Sequence, residues 1–264
     1  MTDIDFDALA GRGLFVATPM YGGQAYAGYT RAIAKVAQLS GAHCLKFDYT
    51  SVVNQSLVPL ARNSLCNEFL KSDCEHLLFW DADVEINPLN VFELMQLQAQ
   101  DERFDVIGAV YPVKKVRWDV VAKAVNAGVS EDRLHLFQAA FPFNTVDEGI
   151  DASELMKPLE VKSLTTGMMM IRRSALKRFA EAYPRARYKD RHKDGPEIIA
   201  FFQGGLDEET GAFLPEDFHF CKMVRDIGLN IWACPWMATS HTGTHEFIGS
   251  ITSLMSVGVD INQW

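Results

Sequence analysis

Along the first 110 residues, short continuous apolar runs alternate with stretches where apolar side chains recur every three or four positions. Gly13-Leu14-Phe15-Val16-Ala17-Thr18-Pro19 is such a run, stopped by Pro19 and then Gly22-Gly23. It reads as a buried strand feeding a loop. Over 26–40, Ile33, Val36, Ala37 and Leu39 take helical spacing, and Gly41 supplies the stop. His43 to Tyr49 reads as a second strand. From Pro59 to Leu70 the positions Leu60, Ala61, Leu65 and Phe69 share one helical face, with Arg62, Asn63 and Cys66 off it. His76 to Trp80 is an apolar strand that ends abruptly in Asp81-Ala82-Asp83. Asn87-Pro88 pairs an N-cap with a proline in the first turn of a helix carrying Val91, Leu94, Met95 and Leu97. Val106 to Tyr111 is another buried run, ending at Pro112. This alternation predicts parallel strands joined by crossover helices.

The second half is less regular. Residues 115–160 show few clean periods. Val161 to Ile171 reads as a strand broken at Gly167. Ser174 caps a helix to about Tyr183, which Pro184 stops, and 185–212 reads as a long polar, glycine-rich loop. Pro215 opens a helix with Phe218, Cys221, Val224 and Ile227 on one face and Gly228 as its stop. Leu229 to Cys234 is a final strand, and 250–264 forms a tail. No linker divides the chain. The expected organisation is one α/β domain over 1–264, with an α/β nucleotide-type half at 13–115 and a more irregular half at 116–249.

Composition narrows the function classes. In 264 residues, 48% hydrophobic and 22% charged side chains suffice for a buried core. The 25 basic and 34 acidic residues give a net charge of −9, which argues against sequence-blind binding to DNA or anionic membrane. No apolar run reaches the roughly 18 residues of a spanning helix, and the acidic start lacks a signal-peptide pattern. Five cysteines, odd in number and without a C-x-x-C, read as reduced thiols. The expected localisation is cytoplasmic.

Three clusters carry candidate chemistry. Asp81-Ala82-Asp83 places two carboxylates at the carboxyl end of a strand, where open α/β sheets bind ligands. Such a pair repels unless offset, and a divalent cation carrying phosphate is a natural offset; a solvated acidic turn is the plainer reading. Glu216-Asp217 lies in the first turn of a helix, as ordinary partners of its dipole or as a carboxylate placed to take a proton from a hydroxyl. His241-Thr242-Gly243-Thr244-His245 is either structural or a source of a metal ligand.

The order of these features carries more than each one alone. The chain reads Thr18-Pro19, Arg62, Asp81-Ala82-Asp83, Thr165-Thr166-Gly167, Glu216-Asp217, His241-x-Gly243. With the local wording HLLFWDADV, LTTGMMMIR and FLPEDFHFCKMVRDIGLNIW, it resembles the GT-A fold glycosyltransferases. The small, soluble family 2-like enzymes also found in bacteriophages and large viruses are the nearest in kind. The resemblance runs from about residue 13 to 249.

It implies a fold with a Rossmann-like nucleotide-binding half and a mixed, mostly parallel sheet fused to an irregular acceptor half. It implies transfer of a sugar from a UDP- or GDP-type donor to a glycan or other hydroxyl, with Mn²⁺ or Mg²⁺ as cofactor. By the same resemblance Thr18 and Pro19 border the base, Asp48 holds base or ribose, and Arg62 reaches the nucleotide or its phosphates. Asp81 contacts ribose or a metal-bound water, while Asp83 and His241 bind the metal. Thr166 and Gly167 line the acceptor side. Asp217 is the catalytic base, with Glu216 holding acceptor hydroxyls or exchanging roles with it; inversion at the anomeric carbon is expected, and retention if Asp217 lies on the phosphate side. Lys114, Lys115 or Arg117 add positive charge at the phosphates.

Two departures stand out. The Q-x-x-R-W motif of processive family 2 synthases is absent, which favours single transfer. Tyr21-Gly22-Gly23-Gln24 stands where an acidic residue is usual. A nucleotidyltransferase, or a non-catalytic nucleotide- or sugar-binding module, are the alternative readings. The basic run 185–193 is a solvated loop or a grip on an anion, and nucleic acid enters only as an acceptor, through a modified DNA base.

Overall fold

A computed structural model of the protein describes residues 3–189, 197–245 and 250–257. Its first half runs α1 (Phe6–Leu9), β1 (Gly13–Met20), α2 (Ala27–Ala42), β2 (Lys46–Val53), α3 (Val58–Lys71), β3 (His76–Trp80), β4 (Val84–Ile86), α4 (Pro88–Gln100) and β5 (Val106–Gly108). After α5 (Trp118–Asn126) come β6 (Asn144–Thr145), β7 (Leu159–Ser163), β8 (Met168–Arg172) and α6 (Arg173–Ala182). Four short strands follow: β9 (Arg187–Tyr188), β10 (Ile198–Ile199), β11 (Gly205–Leu206) and β12 (Phe213–Leu214). The described chain closes with α7 (Glu216–Asp226), β13 (Ile231–Ala233), β14 (Thr239–His241) and α8 (Ile251–Ser256).

Eight strands form one sheet in the order β2-β1-β3-β8-β5-β13-β7-β6. Only β8 and β7 run against the other strands, so the sheet is mixed with a dominant direction. The expected α/β class, with a Rossmann-like β1-α2-β2-α3-β3 start, is what the structure has. The strands of the first half do not all lie side by side. Antiparallel β8 separates β3 from β5 and hydrogen-bonds to both.

The reason lies in its composition. Met168, Met169, Met170 and Ile171 are all fully buried. Met169 and Ile171 face one core with Phe69, Phe179 and Phe220, while Met168 and Met170 face the other with Val36, Trp80 and Phe92. A strand covered on both faces reads as a continuous apolar run and belongs at the centre of a sheet. Gly108 permits the close approach, because a Cβ there would lie 2.1 Å from the Met168 carbonyl oxygen.

Other boundaries shift for local reasons. Strand β2 begins at Lys46, later than residue 43, because His43 caps α2 and Cys44 is left-handed at φ 58°. Helix α6 starts at Arg173 with no side-chain cap from Ser174. The Arg173 guanidinium instead donates to the carbonyls of Phe69, Leu70 and Ser72 at the end of α3. On α7 the core face is Phe220, Cys221 and Val224, with Phe218 only half-buried. Gly228, at φ 74°, ends that helix as expected: its N–H meets the Arg225 carbonyl, and Leu229 N–H meets Val224.

Residues 185–212 are not simply a polar loop. They contain β9 to β11, and Phe201 and Phe202 are fully buried. Residues 229–234 contribute β13 but not the last strand, since β14 follows and pairs antiparallel with β4. The five cysteines are all unpaired, and no helix among the described residues is long and apolar enough to cross a membrane.

Candidate active site

The sheet delivers Asp81 and Asp83 just past the carboxyl end of β3. Trp80 is fully buried, and its indole N–H donates to the Val84 carbonyl at 2.8 Å. Val84 N–H returns to the Asp81 carbonyl, which closes a tight turn over 81–84. Two further backbone bonds fix this turn from outside. Asp81 N–H donates to the Gly167 carbonyl at 3.0 Å, and Tyr26 N–H donates to Ala82 at 2.9 Å. The acidic turn is therefore held by the β1–α2 loop and by β8.

Arg62 is the hub of the site. Its side chain is only 6% exposed, although helical spacing sets it off the apolar face of α3. Burial follows from segment 199–202, which α3 grips through side-chain amides. Asn63 exchanges two hydrogen bonds with the Phe202 backbone, at 2.7 and 2.9 Å, and Asn67 does the same with Ile199. This brings Phe201 and Phe202 over the polar side of the helix, and Asn63 and Cys66 are buried with Arg62.

Arg62 Nη1 lies 3.5 Å from Asp81 Oδ1, and Nε lies 3.5 Å from Glu216 Oε1. Neither nitrogen has a well-directed hydrogen-bond partner. Burial opposes the guanidinium charge, but Asp81, Glu216, Tyr111 and Asp217 outweigh it and raise its pKa. The Arg62 guanidinium carbon also sits 5.6 Å from the centre of the Phe79 ring. One cation thus ties the acidic turn after β3 to the acidic turn that opens α7.

Asp217 differs from its neighbour. Burial, then repulsion from Glu216, raises its carboxyl above the usual aspartate range. Its Oδ1 accepts from Phe218 N–H at 2.8 Å. A half-buried acid of raised pKa beside a like charge is the environment of a proton-transfer group, although ion-pair networks produce it too.

Asp83 lies at the other side of the turn. Lys114 Nζ is 2.5 Å from its Oδ2, and His241 Nε2 is 3.4 Å from the same atom. Burial alone would raise this carboxyl, but His241 and Lys114 bring it down to about 2. The hydrogen bond to Asp83 raises the His241 pKa against the effect of burial. His241 is delivered by the β4–β14 ladder, in which it pairs with Val84, and Thr242 N–H donates to the Asp83 carbonyl at 2.9 Å. Gly243 lets Lys114 lie against the backbone, since a Cβ there would meet the lysine stem at 2.7 Å.

Asp83 and His241, both expected as metal ligands, face each other here, with Lys114 on the same carboxylate oxygen. His241 Nδ1 donates to the Pro112 carbonyl at 2.8 Å. That orientation directs Nε2 at Asp83, as in metal-binding histidines held by a backbone carbonyl. Asp81 is turned to Arg62 instead. No group of three or more His, Cys, Asp or Glu side chains converges on one position among the described residues. A Mg²⁺-type ion takes one or two protein ligands and fills its shell with phosphate and water.

A cavity of about 300 Å³ opens beside these groups. Arg62, Asp81 and Asp83 line it, Pro19 contributes from the end of β1, and Tyr21 and Gln24 from the β1–α2 loop. Tyr26, Gln55 and Ser56 complete the polar lining. Pro19 therefore lines the cavity, whereas Thr18 is buried behind it and shares a 2.7 Å hydrogen bond with the Tyr29 hydroxyl. Asp48 stands in mid-β2, exposed, opposite Phe15, and is not part of the lining. Thr166 and Gly167 are buried, and the Gly167 carbonyl holds the turn through Asp81 N–H.

Arg117 is engaged by Asp119 in a two-bond ion pair, and Lys115 is exposed. Of the basic run, residues 190–193 lie outside the described residues, and Arg187 pairs with Glu197 at 3.8 Å.

Tyr111 belongs to this site and carries no motif signal. Its hydroxyl accepts from Gly167 N–H at 3.1 Å, and its ring stands edge-on to His241 at 5.2 Å. Burial, then the Asp81 charge, raises its pKa. Gly167 makes room for it, since a Cβ there would lie 2.6 Å from the Tyr111 ring and hydroxyl. Gly167 in a broken strand was the available clue.

The chain is similar in structure to several solved proteins. A197 from STIV matches over 88% of this chain and 86% of that one, with 13% identity and a TM-score of 0.52. TarS 1–349 from S. aureus, in complex with UDP-GlcNAc, matches over 89% of this chain and 60% of that one, with 14% identity and a TM-score of 0.40. A glycosyltransferase involved in glycosylation of the major capsid of PBCV-1 matches over 66% and 68%, with 12% identity and a TM-score of 0.32. At these identities the likeness concerns the fold, and the A197 match carries it. No protein-family model matches the chain, and no curated protein is significantly similar in sequence.

Proposed function

We propose that the protein is a glycosyltransferase that moves a sugar from a nucleoside diphosphate sugar, of UDP or GDP type, to a hydroxyl acceptor. The observation that carries this reading is the joining of three parts through one buried guanidinium. An amide- and tyrosine-lined cavity leads to an acidic turn, and buried Arg62 connects that turn to a second acidic pair on α7. Exposed Tyr21 and Tyr26 suit a base at the far end. The diphosphate then meets Asp83, Lys114 and Arg62 at the near end.

Asp83 and His241 would hold a Mn²⁺ or Mg²⁺ ion, which when bound supplies charge neutralisation for the departing diphosphate. Lys114 and Arg62 contribute fixed positive charge at the same end. Asp217 takes the proton of the acceptor hydroxyl. Its oxygen forms the new bond to the anomeric carbon as the bond from that carbon to the diphosphate oxygen breaks, with inversion. Glu216, held by Arg62, keeps the first turn of α7 in place beside the base.

The test is a thermal-shift screen of UDP- and GDP-sugars with and without Mn²⁺. A ligand at about 100 times its Kd stabilises the fold by about 2.7 kcal/mol, so a true donor is readily detected. Asp83→Ala and His241→Ala should each abolish the Mn²⁺-dependent part of that shift. Undiminished Mn²⁺ dependence in both would remove the metal assignment, and the absence of any nucleotide-sugar shift would remove the donor.

A further inference from the structure

A second cavity lies on the far side of His241 and has a different chemistry. It encloses about 600 Å³ and is walled by the two 3₁₀ segments Glu131–Phe137 and Ala152–Met156, the 138–143 connection and residues 235–241. Its lining is mostly carbon, from Val110, Leu136, Phe141, Phe143, Leu155 and Met237. Three of these large side chains stay open to solvent: Leu136 at 61%, Phe141 at 52% and Leu155 at 38%. They converge on one concavity and are not scattered. Isolated exposed apolar residues are ordinary, but a contiguous apolar concavity marks a binding site.

Its position relates it to the donor cleft. His241 lines this cavity, while its Nε2 lies 3.4 Å from Asp83, which lines the other. The wall between the two cavities is thus the pair assigned to the diphosphate end of the donor.

We infer that this cavity receives the hydrocarbon chain of an amphiphilic acceptor, whose hydroxyl end lies at the donor sugar. The inference rests on the glycosyl-transfer reading above. A glycan alone would bring many hydroxyls against a wall with few polar partners, at a desolvation cost. Its polar groups are few: His135 and Gln138 on the 131–143 wall, and on the His241 side Ser240 and Thr239, the latter already bonded to the Val110 carbonyl. The concave shape suits a single chain, whereas stable protein partners bury about 800 Å² of surface per side.

The experiment titrates full-length protein with alkyl glucosides from hexyl to decyl, below their critical micelle concentrations, by calorimetry. Each added methylene that enters the cavity should tighten Kd about fourfold. Phe141→Ser and Leu136→Ser change exposed side chains and should leave folding intact while flattening that slope. A Kd independent of chain length, or a slope unchanged in both variants, overturns the inference. A dimer that forms with rising protein concentration and dissolves in Phe141→Ser assigns the cavity to a second copy and also overturns it. A flat slope with nucleotide-sugar binding intact defeats the acceptor cavity alone. An intact slope without any nucleotide-sugar binding defeats the transfer reading, and the acceptor role with it.

Discussion

Replacing Arg62 with Met keeps most of the side chain's volume and removes one buried charge. Asp81 and Glu216 then lose the cation 3.5 Å from each, and Asp217 loses a group that lowers its pKa. Removing one partner of a buried ion pair costs about 3–5 kcal/mol, because the other charge stays buried and uncompensated. Here the two carboxylate side chains keep 23% and 16% exposure, which places the cost at the lower end, about 3 kcal/mol. At 2–4 °C per kcal/mol for a chain of this size, that is a fall in Tm of about 6–12 °C.

The pH dependence has a defined sign. In the folded variant the Asp217 carboxyl, already raised, rises further. A carboxyl whose folded pKa exceeds its unfolded value destabilises the fold above that folded pKa. The penalty is relieved as pH falls and the group takes up its proton. Urea unfolding of Arg62→Met should therefore show a larger deficit at pH 8 than at pH 5. A deficit below about 1 kcal/mol at pH 8, or one that grows on acidification, would refute the view of Arg62 as the charge that permits three acids to share one site.

Three further outcomes are expected. Asp217→Asn should bind nucleotide sugar as wild type and lose transfer by about 10²-fold or more, and the acid limb of the wild-type rate profile should lie above the ordinary aspartate range. Full transfer by Asp217→Asn in a coupled assay removes it as the base. Gly167→Ala should cost about 1–3 kcal/mol by driving a methyl into Tyr111, with recovery in the double variant carrying Tyr111→Val; chemical denaturation reads both. Asn63→Leu strands the amide and carbonyl of Phe202 and should cost about 2–4 kcal/mol, with faster hydrogen exchange at residues 199–202.

Much of the frame is legible in the sequence because it depends on local pattern. The largely apolar β1 and β3, the Asn87-Pro88 start of α4 and the Gly228 stop of α7 follow from backbone and side-chain preferences within a few residues. What stayed hidden depends on pairs far apart in the chain. The burial of Arg62 follows from amides on α3 that grip a segment about 140 positions away. The central place of β8 follows from a second apolar face supplied by helices of the other half. Tyr111 carries no motif, and only the missing Cβ at Gly167 marks its location. The acidic pairs were visible as composition at strand and helix ends. Their joining through one guanidinium was not, because periodicity sets Arg62 on the outer face of its helix.

The central strand also constrains how the chain acquires its fold. Neither β3 nor β5 has its full set of ladder partners until residues 168–172 have been made, so a ribosome must extend well past the first 110 residues before the sheet closes. Until then both strands present open, strongly apolar edges, the kind of surface that chaperones cover and aggregates exploit. The same event sets Asp81, whose amide waits for the Gly167 carbonyl. The joining of β3 to β5 and the anchoring of Asp81 therefore both wait for the same segment, and a chain stopped short of β8 lacks both.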